Sequence, residues 1–398
     1  MQHLRQEEVH DFMNILNVNM TLDPVTGGGS AERTLQISRA LNRAGHQCTI
    51  LTTDTGLSSA YLRQCRKWGL NVVALNSLWR RFYLPKPSQN LIEKLVAGAD
   101  VVNLMSHWTL INALIYRAAK KLTKPYTVCP AGALPIFGRS KILKNIYNHL
   151  IGGRIILDAN GCIAISPNEI NHFKSYGVQP DKVSVIPNGI NPADYPESDG
   201  KNFRARYGVG AAPLILFLGR LNNIKGPDTL LEAFCRCSQD ARIKRYHLVF
   251  AGPDSGMLSA LKRMVDASDV KDRVHFVGHI GGSEKSEAYR AADFLAIPSR
   301  HEAMSIVVLE AGITGTPVLI TDQCGFNDVD AISGGMVVAA SVDGLQEGLL
   351  SMTSNPDKLK IMGQNLLRFT REHFLWDHIV NRYLELFSRI MNLRSRNL

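Results

Sequence analysis

The stretch DFLAIPSRHEAMSIVVLEAGITGTPVLITD, residues 293–322, contains the pattern that decides the fold. It opens with a short apolar run and continues through a loop that holds Glu302. A helix then starts near Ser305, carries Glu310, and is followed by a second apolar run. Two short apolar runs joined by a helical segment are typical of a parallel sheet covered by helices on its faces. This part of the chain is therefore predicted to be α/β.

The same alternation extends through most of the 398 residues. Further apolar runs separated by mostly helical stretches lie at 14–19, 48–54, 71–75, 100–104, 126–129, 162–166, 214–219, 246–252 and 273–278. A single core stops growing at about 250–300 residues, so two domains are expected. The predicted fold class is α/β, with two doubly wound Rossmann-like domains facing each other across a cleft. Ligands of such sheets bind outside the carboxyl ends of the strands.

A turn-rich stretch, VSVIPNGINPADYPESDGK at 183–201, marks the passage between the two series of strands. The chain is accordingly divided into five segments, with a polar extension first and a long amphipathic helix last. These segments are 1–12 (extension), 13–190 (amino-terminal domain), 191–210 (linker), 211–374 (carboxy-terminal domain) and 375–398 (final helix).

Composition narrows the class of protein. The formal net charge is +10, and a basic surface attracts phosphates or anionic lipid, or is simply solvated without a role. No nucleic-acid-binding motif accompanies the charge, so a nucleic-acid partner is not expected. The seven cysteines are scattered and form no C-x-x-C pair, which indicates reduced thiols in a cytoplasmic protein. No apolar run reaches 18 residues, so no membrane span is predicted, and the first 12 residues lack a signal-peptide core.

The helix that starts near Ser305 suggests an anion site. Its first turn offers unpaired backbone N–H groups that can hold a diphosphate, contributed by Ala303, Met304, Ser305, Ile306 and Val307. Glu302 would then reach the sugar side of the phosphates, and Glu310 would accept hydrogen bonds from a ribose. In the alternative interpretation Glu302 only complements the helix dipole and Glu310 is a surface charge.

Two further loops follow predicted strands. In FLGRLNNIKGPDTLLEAF (217–234), Arg220 and Lys225 precede a helix that opens at Asp228, and two cations there could neutralise a departing diphosphate or could be ordinary loop cations. In NMTLDPVTGGGSAERT (19–34), the glycines 27–29 let the backbone approach a ligand closely. Glutamate at position 32 breaks the G-x-G-x-x-G pattern and argues against a dehydrogenase.

Together these motifs resemble glycosyltransferase family 4, the retaining transferases of the GT-B fold. The resemblance covers nearly the whole chain from Met13. It is most specific in GRLNNIKG, FVGHI and AADFLAIPSRHEAMSIVVLEAGITGTPVL, which occur in the family's order and spacing. The segment VIPNGI (185–190) is similar to the one before the family's second domain. FLWDHIVNRYLELF (374–387) is similar to its final helix, which packs back on the first domain.

The resemblance implies a role for each motif. Arg220 and Lys225 would bind the donor diphosphate, Glu302 the transferred sugar, and Glu310 the ribose. The base would be held around Gly278, His279 and Ile280, and the loop of Gly27, Gly28 and Gly29 would close over phosphate and acceptor. The expected donor is a UDP- or GDP-sugar, which is a substrate, so no cofactor is expected. No metal is expected either, because the two cations would take its place.

One position departs from the family pattern. Ala131, in TVCPAGALPIFG (127–138), stands where many members have a histidine that touches the donor sugar. Three explanations stay open: the donor lacks the group that this histidine binds, another residue replaces the histidine, or the protein is slow or inactive. His107, at the end of the preceding predicted strand, is a candidate catalytic replacement. It could equally be a packing or acceptor-side histidine.

The expected function is that of a metal-independent, retaining hexosyltransferase that acts on a glycan or lipid-linked acceptor in cell-surface polysaccharide biosynthesis, such as lipopolysaccharide, O-antigen, capsule or exopolysaccharide. The segment RSKILKNIYNHLIGGRII (139–156) mixes cations with apolar residues at helical spacing. It could lie on an anionic membrane at the inner face of the plasma membrane, or it could be an ordinary amphipathic helix. An epimerase or phosphorylase, and a non-catalytic nucleotide-sugar-binding subunit, remain as alternatives.

Overall fold

The computed structural model describes residues 11–136 and 140–395, which form two compact units. The amino-terminal unit contains the chain up to Pro187 and again from Trp376 onward. The carboxy-terminal unit is Asn188–Leu375. Most of the predicted extension 1–12, and Arg139 of the predicted basic helix, lie outside the described residues.

The amino-terminal unit is built on a seven-stranded parallel sheet in the order β3-β2-β1-β6-β7-β8-β9. A separate antiparallel hairpin, β4 with β5, follows β3. In chain order the strands are β1 (Asn14–Val18), β2 (Gln47–Thr53), β3 (Asn71–Leu75), β4 (Ser77–Trp79), β5 (Leu84–Pro85), β6 (Val101–Met105), β7 (Tyr126–Cys129), β8 (Gly161–Ala164) and β9 (Val183–Val185).

Helices join these strands and cover the sheet. They are α1 (Gly28–Arg43), α2 (Ser59–Lys67), α3 (Gln89–Gly98), α4 (Leu110–Lys121), α5 (Lys141–Tyr147), α6 (Gly153–Leu157) and α7 (Glu169–Ser175). A single π turn, Asn148–Gly152, connects α5 and α6, so residues 141–157 form one continuous helical segment. Single π turns inside helices occur frequently at functional sites.

The carboxy-terminal unit has a six-stranded parallel sheet in the order β12-β11-β10-β13-β14-β15. Its strands are β10 (Leu214–Leu218), β11 (His247–Ala251), β12 (Val274–Gly278), β13 (Phe294–Ile297), β14 (Val318–Thr321) and β15 (Gly335–Val338). Its helices are α8 (Lys201–Arg206), α9 (Pro227–Arg236), α10 (Leu258–Asp266), α11 (Ser283–Ala291), α12 (Ile306–Thr314), α13 (Asp328–Ala331), α14 (Val342–Thr353) and α15 (Pro356–His373).

The chain ends in α16 (Trp376–Ser395), which belongs to the amino-terminal unit. The fully buried guanidinium of Arg33 on α1 fastens it, donating to the hydroxyl of Tyr383 at 2.8 Å and to the carbonyl of Ile186 at 2.7 Å. It also lies 5.8 Å from the ring centre of Trp376. A buried cation needs such partners because burial away from water is costly for a charge.

Residues 191–210, expected to be a linker, are instead part of the carboxy-terminal unit. Helix α8 forms within them and buries Phe203. Arg204 donates to the carbonyl oxygen of Ala291 on α11 at 2.5 Å. The turn-forming residues suggested an open connection, but one apolar side chain and one arginine dock the segment on its own unit.

The strand order reverses once in each sheet. In the amino-terminal unit this happens between β1 and β6, and in the carboxy-terminal unit between β10 and β13. At such a point the loops that leave the carboxyl ends of the two strands diverge to opposite faces and leave a crevice. The two parallel sheets confirm the prediction of two α/β domains. The crevices place the expected ligand sites at the loops after these four strands. In the part of the chain that the structure describes, no helix is long and apolar enough to cross a membrane.

Candidate active site

The loops after β10 and β13 meet at the reversal point of the carboxy-terminal sheet. Nζ of Lys225, in the first loop, lies 2.8 Å from a carboxylate oxygen of Glu302 in the second. The other oxygen of Glu302 accepts a hydrogen bond from the hydroxyl of Ser299 at 2.5 Å. The side chain of Lys225 is 25% exposed and that of Glu302 is 11% exposed, so the pair is partly shielded but reachable. The two predicted residues are thus in direct contact.

Arg300 fastens these two loops together. Its guanidinium donates to both carboxylate oxygens of Asp228, each at 2.8 Å, and to the carbonyl of Asn223 at 2.6 Å. The backbone N–H of Arg300 donates to the carbonyl of Ile224 at 2.7 Å. A planar guanidinium matched to both oxygens of a carboxylate fixes direction as well as distance. Arg300 therefore sets where Lys225 stands relative to Glu302.

Glycines allow the backbones to approach this closely. Gly226 has φ +65°, and a Cβ atom there would overlap the carbonyl oxygen of Pro298. Gly325, also at φ +65°, packs against the carbonyl of Ala303 in the same way. Both positions need a residue without a side chain, because the left-handed conformation and the close contact each exclude one. The loops around Glu302 are therefore held from two sides.

The first turn of α12 points unpaired backbone groups into the same region. The helix begins at Ile306, and the N–H groups of Ile306 and Val307 have no acceptor among the described residues. The N–H of Ser305, one of the predicted phosphate donors, instead donates to the carbonyl of Cys324 at 3.1 Å. Ser305, which precedes the helix, is fully buried, and its hydroxyl has no hydrogen-bond partner among the described residues. Asn188 donates to the carbonyl of Met304 at 3.2 Å and holds the turn in place. Free N–H groups and a free hydroxyl next to a lysine form a site suited to phosphate oxygens.

The remaining donor-site candidates of this unit lie along the same edge of the sheet. Arg220 follows β10, is exposed, and makes no ion pair or side-chain hydrogen bond within the described ranges. Gly278 ends β12 at φ +75°, and its carbonyl accepts from the N–H of Gly252 at 2.7 Å. After it, His279 is exposed and Ile280 is buried. These residues share an edge, and no contact joins them to the Lys225–Glu302 pair in the described part of the chain.

Glu310 is a buried carboxylate and not a surface charge. It is 2% exposed, and its oxygens lie 2.5 Å from Nζ of Lys285 and 2.5 Å from the hydroxyl of Tyr289, both on α11. Burial, together with the adjacent carboxylate, raises the pKa of Tyr289 well above its ordinary value. A carboxylate has about four acceptor positions, so these two donors leave acceptor capacity on Glu310.

The glycine loop and His107 belong to the other unit. Gly28 is the first residue of α1 and has φ +64°, while the N–H of Gly27 donates to the carbonyl of Asp23 at 2.9 Å. Gly29 is exposed in the first turn of α1. The three glycines therefore make a tight turn between β1 and α1 at the reversal point of the amino-terminal sheet.

The contacts of His107 favour the packing interpretation over the catalytic one. The side chain is 1% exposed, and its Nε2 lies 2.8 Å from Oδ1 of Asn148 in the π turn. The rings of Trp108, Tyr147 and Tyr176 surround it at centroid distances of 4.4, 5.7 and 5.6 Å. Burial lowers the pKa of His107 to about 4 and outweighs the hydrogen bond with Asn148. A neutral, enclosed ring is not placed to contact a substrate.

Ala131, at the aligned histidine position, adopts φ +49°, a region that residues with a Cβ rarely occupy. The next residue, Gly132, donates its N–H to Glu169 at 2.5 Å. The second oxygen of Glu169 accepts from the N–H of Ile165 at 2.7 Å. The turn is thus held by a buried carboxylate, and the methyl group of Ala131 offers a sugar no hydrogen bond.

Sequence analysis missed Arg300, Lys285 and Tyr289. Arg300 stands two residues before Glu302, inside the motif, and its match with Asp228 could have been suspected from opposite charge alone. Lys285 and Tyr289 are spaced by four on a predicted helix, which places them on one face. That spacing does not reveal which acidic residue they meet.

In the described part of the chain, no group of three or more histidine, cysteine, aspartate or glutamate side chains is arranged to hold a metal ion. Two aspartates in a D-x-D triplet, whose carboxylates are of the kind that bind divalent ions, occur at 328–330. The triplet forms the short helix α13, in which Asp328 and Asp330 are exposed.

Gly226→Ala is expected to destabilise the carboxy-terminal unit more than Gly208→Ala. Both glycines have similar positive φ, +65° and +68°, but a Cβ at Gly208 would meet nothing within 4 Å. The left-handed conformation alone costs about 1–2 kcal/mol, and the overlap with Pro298 should bring the Gly226→Ala loss to at least about 3 kcal/mol. Urea denaturation measures both losses. Equal losses would show that the two loops are not in close contact.

His107 should make stability depend on pH. Its pKa in the folded protein, about 4, lies below the ordinary value of 6.5, so the unfolded state binds more protons between these values. The stability that depends on a neutral His107 is fully present above pH 6.5 and is lost as pH falls toward 4. The corresponding decrease in the free energy of unfolding is about 2 kcal/mol between pH 7 and pH 5. His107→Gln should lose that part of the pH dependence in urea denaturation, while carboxylate contributions common to both proteins cancel. An identical pH dependence would mean that the ring is not buried in its neutral form.

Two solved structures match nearly the full chain. Anabaena Alr3699/HepE in complex with UDP and glucose aligns with TM-score 0.78 at 17% identity, covering 94% of this chain and 99% of that one. Sucrose-phosphate synthase from Thermosynechococcus elongatus aligns with TM-score 0.76 at 19% identity, covering 96% of this chain and all of that one. At such identities the likeness concerns the fold.

Sequence relatives are more similar over shorter stretches. D-inositol 3-phosphate glycosyltransferase of Gordonia bronchialis is 30% identical over 262 residues, which is 62% of this chain and 57% of that protein. The enzyme of that name from Kineococcus radiotolerans is 35% identical over 181 residues, or 44% of this chain and 39% of that protein. The chain thus matches between about two fifths and three fifths of the length of these curated relatives.

Two family models match consecutive parts of the chain. Glycosyltransferase Family 4 matches residues 27–194, and Glycosyl transferases group 1 matches residues 201–368. Together they span most of the described residues and every strand of the two parallel sheets except β1. The chain belongs to glycosyltransferase family 4, the group 1 glycosyl transferases of the GT-B fold.

Proposed function

We propose that this glycosyltransferase transfers a sugar from a UDP- or GDP-sugar to a glycan or lipid-linked acceptor, with retention of anomeric configuration and without a metal ion. The observation that carries the proposal is the meeting of Lys225, Glu302 and the first turn of α12 at the reversal point of one sheet. Its polar groups suit a diphosphate joined to a sugar. The UDP and UDP-glucose complexes of Anabaena Alr3699/HepE support the same class of donor.

Each group has a distinct task in this scheme. Lys225 and the free guanidinium of Arg220 bind the diphosphate oxygens, on which negative charge grows as the bond to the anomeric carbon breaks. Each preorganised donor of this kind is worth about 3 kcal/mol of barrier. Glu302 holds Lys225 in position and accepts from hydroxyls of the transferred sugar. Glu310 accepts from the ribose.

In this scheme no side chain of the protein acts as the base that removes the proton of the acceptor hydroxyl. The acceptor hydroxyl attacks the anomeric carbon from the face that the diphosphate leaves, and its proton passes to the departing phosphate oxygen. The products are the glycosylated acceptor and the nucleoside diphosphate. Proton NMR of the product gives the anomeric configuration, and an inverted product would contradict this scheme.

We place the acceptor in cell-surface polysaccharide biosynthesis, at the inner face of the plasma membrane. The helical segment 141–157 supports a membrane position, because one of its faces exposes five aliphatic side chains, namely Ile142, Leu143, Ile146, Leu150 and Leu157. Between Asp100 and Asp158 the sequence contains eight lysines and arginines and no acidic residue. An exposed aliphatic face with cations and no carboxylates suits a membrane surface that contains anionic lipid.

Donor binding can be tested by thermal unfolding with UDP, GDP, ADP and their sugar conjugates, in EDTA. A ligand at about 100 times its dissociation constant stabilises by about 2.7 kcal/mol. One base family should raise Tm, and Arg220→Ala should abolish the rise without changing Tm in the absence of ligand, because Arg220 is exposed and unpaired in the described chain. Arg263→Ala, at another exposed arginine of the same unit, is the control.

No rise with any nucleotide would remove the main support for a donor site. A rise that needs a divalent ion would contradict metal independence. An epimerase would show itself by converting the bound sugar nucleotide in the absence of any acceptor, and a non-catalytic subunit by binding the donor without turnover.

The membrane position predicts co-flotation with vesicles that contain anionic lipid, at low salt. The double variant Leu143→Asp, Leu150→Asp should lose most of it, because each charge must leave water on binding. Ile361→Asp places one such charge at a similarly exposed isoleucine of α15 and should float like the wild type, whereas each single variant, Leu143→Asp or Leu150→Asp, should float less. Absence of co-flotation of the wild type, or equal loss in the control, would refute the membrane contact.

A further inference from the structure

The hairpin formed by β4 and β5, residues 77–85, presents large apolar side chains to solvent. Leu78, Trp79 and Phe82 are 61%, 58% and 59% exposed. Isolated exposed apolar residues are ordinary, but three in one short hairpin indicate a binding surface. Residues 77–85 are called the aromatic hairpin below.

The aromatic hairpin is firmly anchored. Oδ1 of Asp54 accepts from the N–H of Ser77 at 2.9 Å, and the hydroxyls of Thr55 and Ser77 lie 2.8 Å apart. The N–H of Lys86 closes its base on the carbonyl of Asn76 at 2.7 Å. These residues follow β2 and β3, so the hairpin stands at the carboxyl edge of the amino-terminal sheet, where ligands of parallel sheets bind.

The aromatic hairpin also contacts the turn that leads into the three glycines. The hydroxyl of Tyr83 lies 3.5 Å from that of Thr26, which in turn donates to a carboxylate oxygen of Asp23. Tyr83 adopts φ +50°, so its backbone is held in an uncommon conformation that directs the ring toward this turn. The loops after β1, β2 and β3 therefore converge around the hairpin.

The two aromatic rings form a corner. Trp79 and Phe82 meet edge to face, with ring centroids 4.7 Å apart and planes at 82°. The guanidinium of Arg81 lies 5.7 Å from the Phe82 ring centre, and Arg81 makes no ion pair within the described ranges. Arg80, by contrast, lies 3.8 Å from Asp54. An apolar corner bordered by hydroxyls, carboxylates and one free arginine matches a sugar ring, whose C–H face packs on aromatic rings while its hydroxyls need polar partners.

The charges distinguish this surface from the helical segment 141–157. That segment is aliphatic and free of acidic residues, as an anionic membrane requires. The aromatic hairpin has the carboxylates of Asp23 and Asp54 beside it, which can accept hydrogen bonds from sugar hydroxyls. The free Arg81 adds a site for a carboxylate or a phosphate.

We propose that the aromatic hairpin binds the acceptor, and that this acceptor is a saccharide with an acidic substituent. A sugar ring packs in the corner of Trp79 and Phe82, and Arg81 pairs with a carboxylate or phosphate on the saccharide. The proposal rests on the transferase function and specifies its acceptor side.

The test is binding of the full chain, with saturating UDP, to an array of immobilised neutral, uronic-acid-containing and phosphorylated saccharides. The wild type should bind acidic saccharides, and Trp79→Ala should weaken this binding at least about tenfold, as loss of a central aromatic contact does. Leu78→Ala is the matched control: it is equally exposed in the same hairpin but offers no ring, so it should bind like the wild type. Arg81→Gln should lose the preference for acidic over neutral saccharides, and the two acidic sets show whether a carboxylate or a phosphate is preferred.

Three outcomes would overturn the proposal: no saccharide binding by the wild type, equal loss in Leu78→Ala and Trp79→Ala, or an unchanged acid preference in Arg81→Gln. Equal loss would indicate a general hydrophobic contact such as a membrane, which vesicle flotation of the two variants would then show. The UDP-induced Tm shift of each variant is measured in parallel. If that shift persists while saccharide binding fails, the acceptor proposal alone falls; if neither UDP nor GDP raises the Tm of the wild type, the transferase proposal falls.

Discussion

The ion pair between Arg300 and Asp228 is the interaction on which the candidate active site depends. It joins the loop after β13 to the first turn of α9, which follows the loop after β10, and the two are neighbours because the strand order of the sheet reverses between β10 and β13. Both side chains are about one-third exposed, so the pair contributes little to stability by itself. Its effect is geometric, because a bidentate contact fixes the position of Lys225 relative to Glu302 to within the tolerance of a hydrogen bond.

Close backbone contacts complete this arrangement. Gly226 and Gly325 let neighbouring loops touch through their main chains, at Pro298 and at Ala303. Two buried polar groups lie along the first half of α12. The hydroxyl of Ser305 directly precedes the helix, and the carboxylate of Glu310 belongs to its fifth residue. A small number of polar groups is thus concentrated on one edge of the carboxy-terminal sheet.

In the amino-terminal unit the buried polar groups and the exposed apolar surfaces have different roles. Its buried polar groups, Arg33, Glu169 and His107, are engaged in packing, since each is enclosed and contacts backbone or side-chain partners. Its exposed features are the aliphatic face of 141–157 and the aromatic hairpin, which differ in side-chain type and in nearby charge. This difference supports separate partners for the two surfaces, a lipid surface for one and a saccharide for the other.

Hydrophobic periodicity and turn chemistry predicted the α/β class and most strands to within one or two residues, because these properties depend on neighbours in the sequence. The same local patterns identified Lys225, Glu302 and the start of α12. They missed the strands β4, β5 and β9, which have three residues or fewer and so show no clear alternation, and they also missed β15. They placed residues 191–210 in a linker. Only the tertiary structure decided that His107 is enclosed, that Glu310 meets Lys285 and Tyr289, and that Arg300 joins two loops. Those contacts unite residues far apart in the chain, and strand order, which no local pattern encodes, determines which of them meet.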